Sequence, residues 1–396
     1  MEVKTLTFYS NYYNHHQKAL CDEWYKQLGQ GFTFVETMPI EEFRAGMGWG
    51  NEDVPDYVLK THVSEANKER AFQLGLSSDL VVMGTAPEAF IEERLKADLL
   101  IFRYSERPLK EGFIKFLIPR LTKKYYRMHI KNRKKRVYIL AASAYAAYDY
   151  RRMRCYLEKC YKFGYFPQHL QYDVDLLMQM KKREAKEQGV GTTILWAGRM
   201  LKLKRPDLIV EAARRLRDKG YSFSLKMIGE GEERSKIKEM AEQYGLSDRI
   251  SFIDFLSPTE ARVAMSKASI YVMTSNFWEG WGSVIYEALN AGCAVVASHA
   301  CGATPWLIKN DETGLIFRSG EIASLTKQLE RLLIDVELQE KYGRAAYEQM
   351  TKWWNPRVAA TSVLQLAQRL EAGEDTDIEE GPCSKAMILK NTWFRG

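Results

Sequence analysis

Short apolar runs alternate with longer amphipathic stretches along this chain, and they do so twice over. VKTLTFY (3–9), FTFVET (32–37), DLVVMG (79–84), DLLIFR (98–103) and KRVYILAAS (135–143) read as strands of a first set. TTILWAG (192–198), FSLKMIG (223–229), ISFIDF (250–255), SIYVMTS (269–275) and CAVVAS (293–298) form a second. Helices fill the intervals. Asn14 offers a cap to one running to about Gln27, another covers 64–74, and Pro87 starts a third. In the second set, 204–218, 231–243, 258–267 and 283–291 have helical spacing. Strand, helix and strand at this pitch make parallel sheets covered by helices. Two α/β domains with a cleft between them are therefore predicted.

The rhythm breaks at GYFPQHLQYDVD (164–175), where glycine and proline mark a domain boundary. Residues 38–63 read as an irregular loop, and Tyr145 to Tyr161 as an aromatic helix containing Cys155 and Cys160. Near the end, Trp353-Trp354-Asn355-Pro356 interrupts the helical stretch 335–371. Asn355 can cap a new helix that starts at Pro356, and the break lets the chain cross back over the first domain. The predicted division is 1–168, 169–350, a crossing helix at 351–371, and an acidic-to-mixed tail at 372–396.

Several classes are excluded. A chain of 396 residues with 46% hydrophobic content has material for two packed cores. No apolar run reaches the roughly 18 residues of a membrane span. Met1-Glu2-Val3-Lys4-Thr5 lacks a secretory pattern, so a cytoplasmic protein is expected. The six cysteines form no C-x-x-C pair and read as reduced, buried thiols. Gly229-Glu230-Gly231-Glu232 is not a dinucleotide fingerprint, because Arg234 stands where the third glycine is needed. Asp173-Val174-Asp175 and Asp375-Thr376-Asp377 lie off the strand ends, so no metal site is predicted and the aspartates read as helix caps or solvated charge.

Open parallel sheets bind ligands past the carboxyl ends of their strands. After the first strand of the second set comes Gly198-Arg199, with Lys204 beside the next helix. Cations are unfavourable at a helix N-terminus unless an anion sits there too. After 269–275 comes Glu279-Gly280-Trp281-Gly282-Ser283-Val284-Ile285-Tyr286-Glu287. Its glycines allow close backbone approach, and Gly282 and Ser283 lie where a helix begins, a place that suits a diphosphate. Glu287 falls about one turn into that helix, at a depth suited to a ribose. Glu279 precedes it and can receive sugar hydroxyls.

This segment resembles the E-x7-E motif of retaining glycosyltransferases with two Rossmann-like domains, the GT-B fold, of the family 4 or group 1 type. EALNAGCAVVASHACGATPWLIKNDETGLIF (287–317) and GRMLKLKRPDLIVEAARRL (198–216) resemble the same family. The likeness is specific over 190–365 and loose over 1–30 and 135–168. It implies that Arg199 and Lys204 neutralise the donor phosphates, that Glu287 holds the ribose and that Glu279 contacts the donor hexose. The diphosphate would then lie against the backbone around Gly282 and Ser283, with Gly198, Gly280 and Val284 also among the donor-binding residues. It further implies transfer with retention, without a metal or other cofactor, from a nucleotide diphosphate sugar, with UDP the commoner nucleotide. The branch it points to is bacterial polysaccharide biosynthesis, where acceptors are glycans or lipid-linked glycans. Arg205 departs from the family's usual glycine, and Cys301-Gly302 retains one of two usual glycines. A hydrolase, an epimerase or a nucleotide-sugar-binding regulator on the same fold is the competing reading.

On the acceptor side, Ser10-Asn11-Tyr12-Tyr13-Asn14-His15-His16-Gln17 replaces the family's glycine-rich first loop. Asn14, His15 and His16 are the acceptor candidates, with His16 the one placed nearest the chemistry. Ser105-Glu106-Arg107, past the strand 98–103, adds Glu106 and Arg107. The net charge of +7 is local: Lys110 to Arg136 holds eleven lysines and arginines against Glu111. Phe113, Phe116, Leu117 and Leu121 recur at helical spacing within it. An interfacial helix lying on anionic lipid is the expectation for 110–136, with His129 at the interface. No nucleic-acid module accompanies the patch.

Overall fold

The computed structural model describes residues 2–40, 54–374 and 378–395. Half of 38–63, residues 41–53, and Asp375-Thr376-Asp377 therefore lie outside the described residues. The chain divides into two compact units. The first comprises 1–168 and 353–390, the second 169–352 and 391–396.

Among the described residues the first unit holds a seven-stranded sheet in the order β3-β2-β1-β4-β5-β6-β7. Its strands are β1 Leu6–Ser10, β2 Phe32–Glu36, β3 Val58–Lys60, β4 Leu80–Met83, β5 Ile101–Ser105, β6 Val137–Ala141 and β7 Cys160–Lys162. Every neighbouring pair is parallel. The second unit holds six parallel strands in the order β10-β9-β8-β11-β12-β13. These are β8 Thr193–Ala197, β9 Ser224–Ile228, β10 Ile250–Ile253, β11 Ile270–Met273, β12 Ala294–Ser298 and β13 Gly314–Phe317. In both sheets the strand order reverses beside the first strand, between β1 and β4 and between β8 and β11. The crevice at such a reversal is where doubly wound sheets take ligands.

Helix amphipathicity explains the layers. In Pro206–Asp218 the buried side is Leu208, Ile209, Val210, Ala212, Ala213 and Leu216. Arg214, Arg215 and Arg217 lie off it, the first two paired with Glu211. Asn355 caps the helix Pro356–Ala372 by accepting from the Val358 N–H at 3.0 Å. That helix packs on the first one, His15–Leu28. The Trp24 indole N–H donates to the Ala360 carbonyl at 3.2 Å, and Thr361 donates to Gln27 at 3.2 Å. The return of the last long helix to the first domain is as expected from the sequence.

Some elements differ from expectation. Val58–Lys60 is a strand within the expected loop, and Cys160–Lys162 a strand where a helix was expected. The helix ends at Arg152 because Arg154, Tyr156 and Glu158 adopt φ of +55°, +51° and +59°. Cys155 and Cys160 are thus not on one helix; both are buried. Asp173 caps Val174–Glu187 through the Asp175 and Leu176 N–H groups. The tail is not all solvent-facing: Lys162 and Ser384 bond through their backbones at 2.7 Å, and Cys383 is fully buried.

Residues 110–136 do not form one amphipathic helix. A 3-10 turn, Phe113–Leu117, precedes the helix Pro119–Tyr125, because Pro119 cannot continue the turn before it. Phe116 stacks between Phe113 and Tyr125. The outward apolar set is Phe113, Ile114, Leu117 and Ile118, exposed by 41, 66, 77 and 48%. His129 is buried, not interfacial. It lies among Tyr125, Tyr150 and Tyr156, and burial holds its pKa well below the usual histidine value.

Candidate functional site

The loop after β8 is tied to the loop after β9 by backbone bonds. Gly198 N–H donates to the Ile228 carbonyl at 3.0 Å, and Met200 N–H to the Glu230 carbonyl at 2.7 Å. This contact is why glycines stand in the 229–231 turn. A Cβ on Gly229, at φ +127°, would lie 2.2 Å from the Gly198 carbonyl oxygen. Gly229→Ala should therefore cost about 2–4 kcal/mol in denaturant unfolding. Wild-type stability in that variant would show that the two loops separate freely. Arg199 projects from this loop and is exposed.

Lys204 ends a 3-10 turn, Lys202–Lys204, and Arg205 then starts the helix from a left-handed conformation, φ +51° and ψ +51°. That conformation explains the family's glycine at this position. Here an arginine carries a strain of about 1 kcal/mol and is fixed by a bidentate pair to Asp207 at 2.7 and 2.9 Å. The Lys204 carbonyl accepts from Thr274, the residue just past β11, 2.6 Å away, and the Thr274 hydroxyl accepts from the Trp196 indole N–H at 2.9 Å. The two switch-point loops are thereby locked together.

The Lys204 ammonium forms an ion pair with Glu279, and both side chains are mostly buried. Gly282, at φ +91°, caps the helix Ser283–Asn290. The N–H groups of Ser283 and Val284 open that helix, where no carbonyl of its own can reach them. A Cβ on Gly282 would crowd the Met273 methyl at 3.0 Å, so glycine serves close packing as well as the turn. Glu287 lies on the same helix. Its carboxylate meets Arg262 at 3.4 Å, with the two side chains 10 and 12% exposed. Burial pushes its pKa up to about 7, against the opposing pull of Arg262.

In the first unit the candidates gather after β1. Asn14 caps His15–Leu28 by accepting from the His16 N–H at 2.9 Å. The His15 and His16 rings lie 3.9 Å apart. Glu36, at the end of β2, accepts from the Tyr13 N–H and bonds His62, both at 2.9 Å, which fixes the loop. Tyr165 links two candidates: its ring lies 6.2 Å from His16 and its hydroxyl donates to Glu106 at 3.2 Å. Arg107 stands apart from them. It is buried and bonds Asp149 twice, at 3.0 and 3.1 Å, which makes it a holder of the loop after β5.

The structure thus brings Lys204 to Glu279, and sets Tyr165 between His16 and Glu106. Sequence reasoning missed Arg262, Thr274, Trp196 and Tyr165. Thr274 was within reach as the residue just past a switch-point strand, but Arg262 sits mid-helix and carries no local signal. No cluster of three or more metal-ligating side chains occurs among the described residues.

Two doubly wound parallel sheets with polar loops at their switch points define the GT-B architecture. Residues 179–349 match the family Glycosyl transferases group 1. It is 25% identical over 173 residues to the lipopolysaccharide core biosynthesis glycosyltransferase LpsE of Rhizobium meliloti, covering 44% of this chain and 48% of that one. It is 28% identical over 207 residues to the D-inositol 3-phosphate glycosyltransferase of Corynebacterium glutamicum, covering 50 and 49%. The chain spans about half the length of these curated relatives. Among solved structures, Anabaena Alr3699/HepE in complex with UDP shares the fold, with a TM-score of 0.66 at 15% identity over 93% of this chain and 100% of that one.

Proposed function

We propose that this protein is a retaining glycosyltransferase. It moves a hexose or related sugar from a nucleotide diphosphate sugar, with UDP as the nucleotide, to a hydroxyl of a glycan or lipid-linked glycan. The observation that carries this reading is the Lys204–Glu279 pair beside a glycine-capped helix at the switch point of the second sheet. As the sugar–phosphate bond breaks, negative charge builds on the leaving diphosphate. Lys204 and the first N–H groups of the helix meet that charge in fixed positions, the strongest catalytic device available to such a site, and exposed Arg199 adds a second cation from its loop. Glu279 takes the sugar hydroxyls and Glu287 the ribose. The second unit takes the donor, and the first takes the acceptor, through Asn14, His15, His16 and Glu106. UDP is chosen because the Anabaena protein of the same fold was crystallised with it.

A thermal-shift series with UDP, GDP and ADP tests the donor. UDP at about a hundred times its Kd should add about 2.7 kcal/mol of stability. Stabilisation by GDP alone would overturn the nucleotide assignment. Sugar transfer should persist in excess EDTA, since side chains and backbone supply the positive charge; loss of activity with rescue by manganese would contradict this.

No helix among the described residues is long and apolar enough to cross a membrane. We place the protein in the cytoplasm, resting on the inner membrane face through 110–136. Exposed Phe113, Ile114, Leu117 and Ile118 share that segment with Lys123, Lys124, Arg127, Lys131 and Lys134, all exposed. Apolar insertion plus cationic attraction binds an anionic surface without a span. Lys135 is excluded, because it donates to the Leu95 carbonyl. Wild type should sediment with anionic liposomes at low salt, and a variant with Lys123, Lys124, Lys131 and Lys134 changed to glutamate should stay in the supernatant. Equal behaviour of the two would end the membrane proposal.

A further inference from the structure

Asn276–Glu279 forms a tight turn just ahead of the glycine loop. The Glu279 N–H donates to the Asn276 carbonyl at 3.0 Å, and the Trp278 N–H to the Asn276 side-chain oxygen at 2.9 Å. The Asn276 N–H in turn donates to the Leu203 carbonyl, next to Lys204, at 2.9 Å. The two central residues of the turn differ sharply. Phe277 meets the His299 ring edge-on at 5.3 Å and 90°. His299 is itself fixed through both nitrogens: Nδ1 accepts from the Ser319 N–H at 2.9 Å and Nε2 donates to the Asn391 carbonyl at 3.2 Å. Phe394 and Trp393 of the C-terminal segment pack on it as well, at 5.9 and 6.4 Å. One side of the turn is thus anchored in the second unit. Trp278, by contrast, leaves 56% of its surface exposed.

A large aromatic face is therefore held out by a rigid turn, directly beside the carboxylate that pairs with Lys204. We propose that Trp278 stacks on a pyranose ring whose hydroxyls reach Glu279, which makes it a specificity-determining residue of the site. This rests on the donor-site reading above. The negative face of an indole attracts the weakly positive C–H face of a pyranose, and a carboxylate accepts from the hydroxyls at the ring's edge. The turn fixes the Trp278 backbone, so only the two torsions of the indole remain to be ordered on contact, a small cost against the stacking.

Trp278→Ala and Trp278→Phe test the proposal. Binding of UDP and of UDP-glucose, UDP-galactose and UDP-N-acetylglucosamine is measured first, and the sugar nucleotide that wild type binds best is kept. Binding of maltotriose to the UDP-saturated protein is measured alongside. If the ring is the donor's, Trp278→Ala weakens the sugar nucleotide about tenfold, leaves UDP unchanged, and phenylalanine restores much of the loss. If it is the acceptor's, maltotriose binding falls and both nucleotides are unaffected. Equal loss for UDP and the sugar nucleotide would overturn the proposal, because it signals a disturbed loop and not a lost sugar contact. No change in any arm would overturn it too. A wild type that binds none of the nucleotides removes the donor-site reading itself, and this inference with it. Unchanged Tm in both variants checks the fold.

Discussion

Lys204→Ala is expected to lower turnover by about 10²- to 10³-fold at saturating donor. The size follows from position. Its backbone is held by Thr274 and its ammonium by Glu279, in a place with little solvent to screen it. A cation fixed before the reaction begins costs no reorganisation as the diphosphate charge develops. Arg199, more exposed, should matter less, with a loss of about tenfold. Removing Lys204 also leaves the Glu279 carboxylate without its ammonium, so part of any loss reports a repelled donor. Lys204→Ala combined with Glu279→Gln separates the two effects. If the double variant recovers donor affinity but its turnover stays well below that of Glu279→Gln alone, the lysine acts on the transition state. Turnover of the single variant within threefold of wild type would sink its assignment to the leaving phosphates.

Five of the six strands of the second sheet were legible because they are mostly apolar and the helices between them carry clean stripes, whereas β13, Gly314–Phe317, was not read as a strand. What stayed hidden was short or locally ambiguous. Val58–Lys60 is three residues long with a lysine in it, and Cys160–Lys162 follows a tyrosine-rich run that reads as helix. Only the left-handed backbone at Arg154, Tyr156 and Glu158 ends that helix, and none of these residues announces such a turn. Arg199, Lys204, Glu279 and Glu287 could be read as candidates because strand ends and helix starts are the ligand-bearing places of such sheets. Arg262 could not, since its tie to Glu287 runs between two helices. Arg107 shows the converse: a charged residue past a strand end looked like a ligand contact, while burial and Asp149 had already claimed it. Phe113, Phe116, Leu117 and Leu121 followed helical spacing, yet Pro119 cut the helix between them. Periodicity counts residues and does not register where a proline resets the turn.

The arrangement around Glu287 leads to a pH dependence that runs opposite to that of most paired carboxylates. Its pKa in the folded protein is about 7, because burial outweighs the nearby Arg262. A folded pKa raised above the unfolded value means that the folded state binds the extra proton between them. The stability this contributes is full below the ordinary carboxylate range and is lost as pH rises through 7, an effect of order 3 kcal/mol. Glu287→Gln should therefore unfold with a flatter pH profile and should exceed wild type in stability at pH 8. Ribose hydroxyls donate, so they favour the ionised form. Binding should then follow the ionised fraction, which rises about tenfold from pH 6 to 8 for a group titrating near 7. A sugar nucleotide is the right probe, because both its phosphates are diesters and stay ionised throughout. Its affinity should climb with pH in wild type and stay level, and weaker, in Glu287→Gln. Glu287→Ala should lose turnover by about tenfold or more. If the glutamine variant keeps both the affinity and the pH slope of wild type, the proton is carried elsewhere and Glu287 does not hold the ribose.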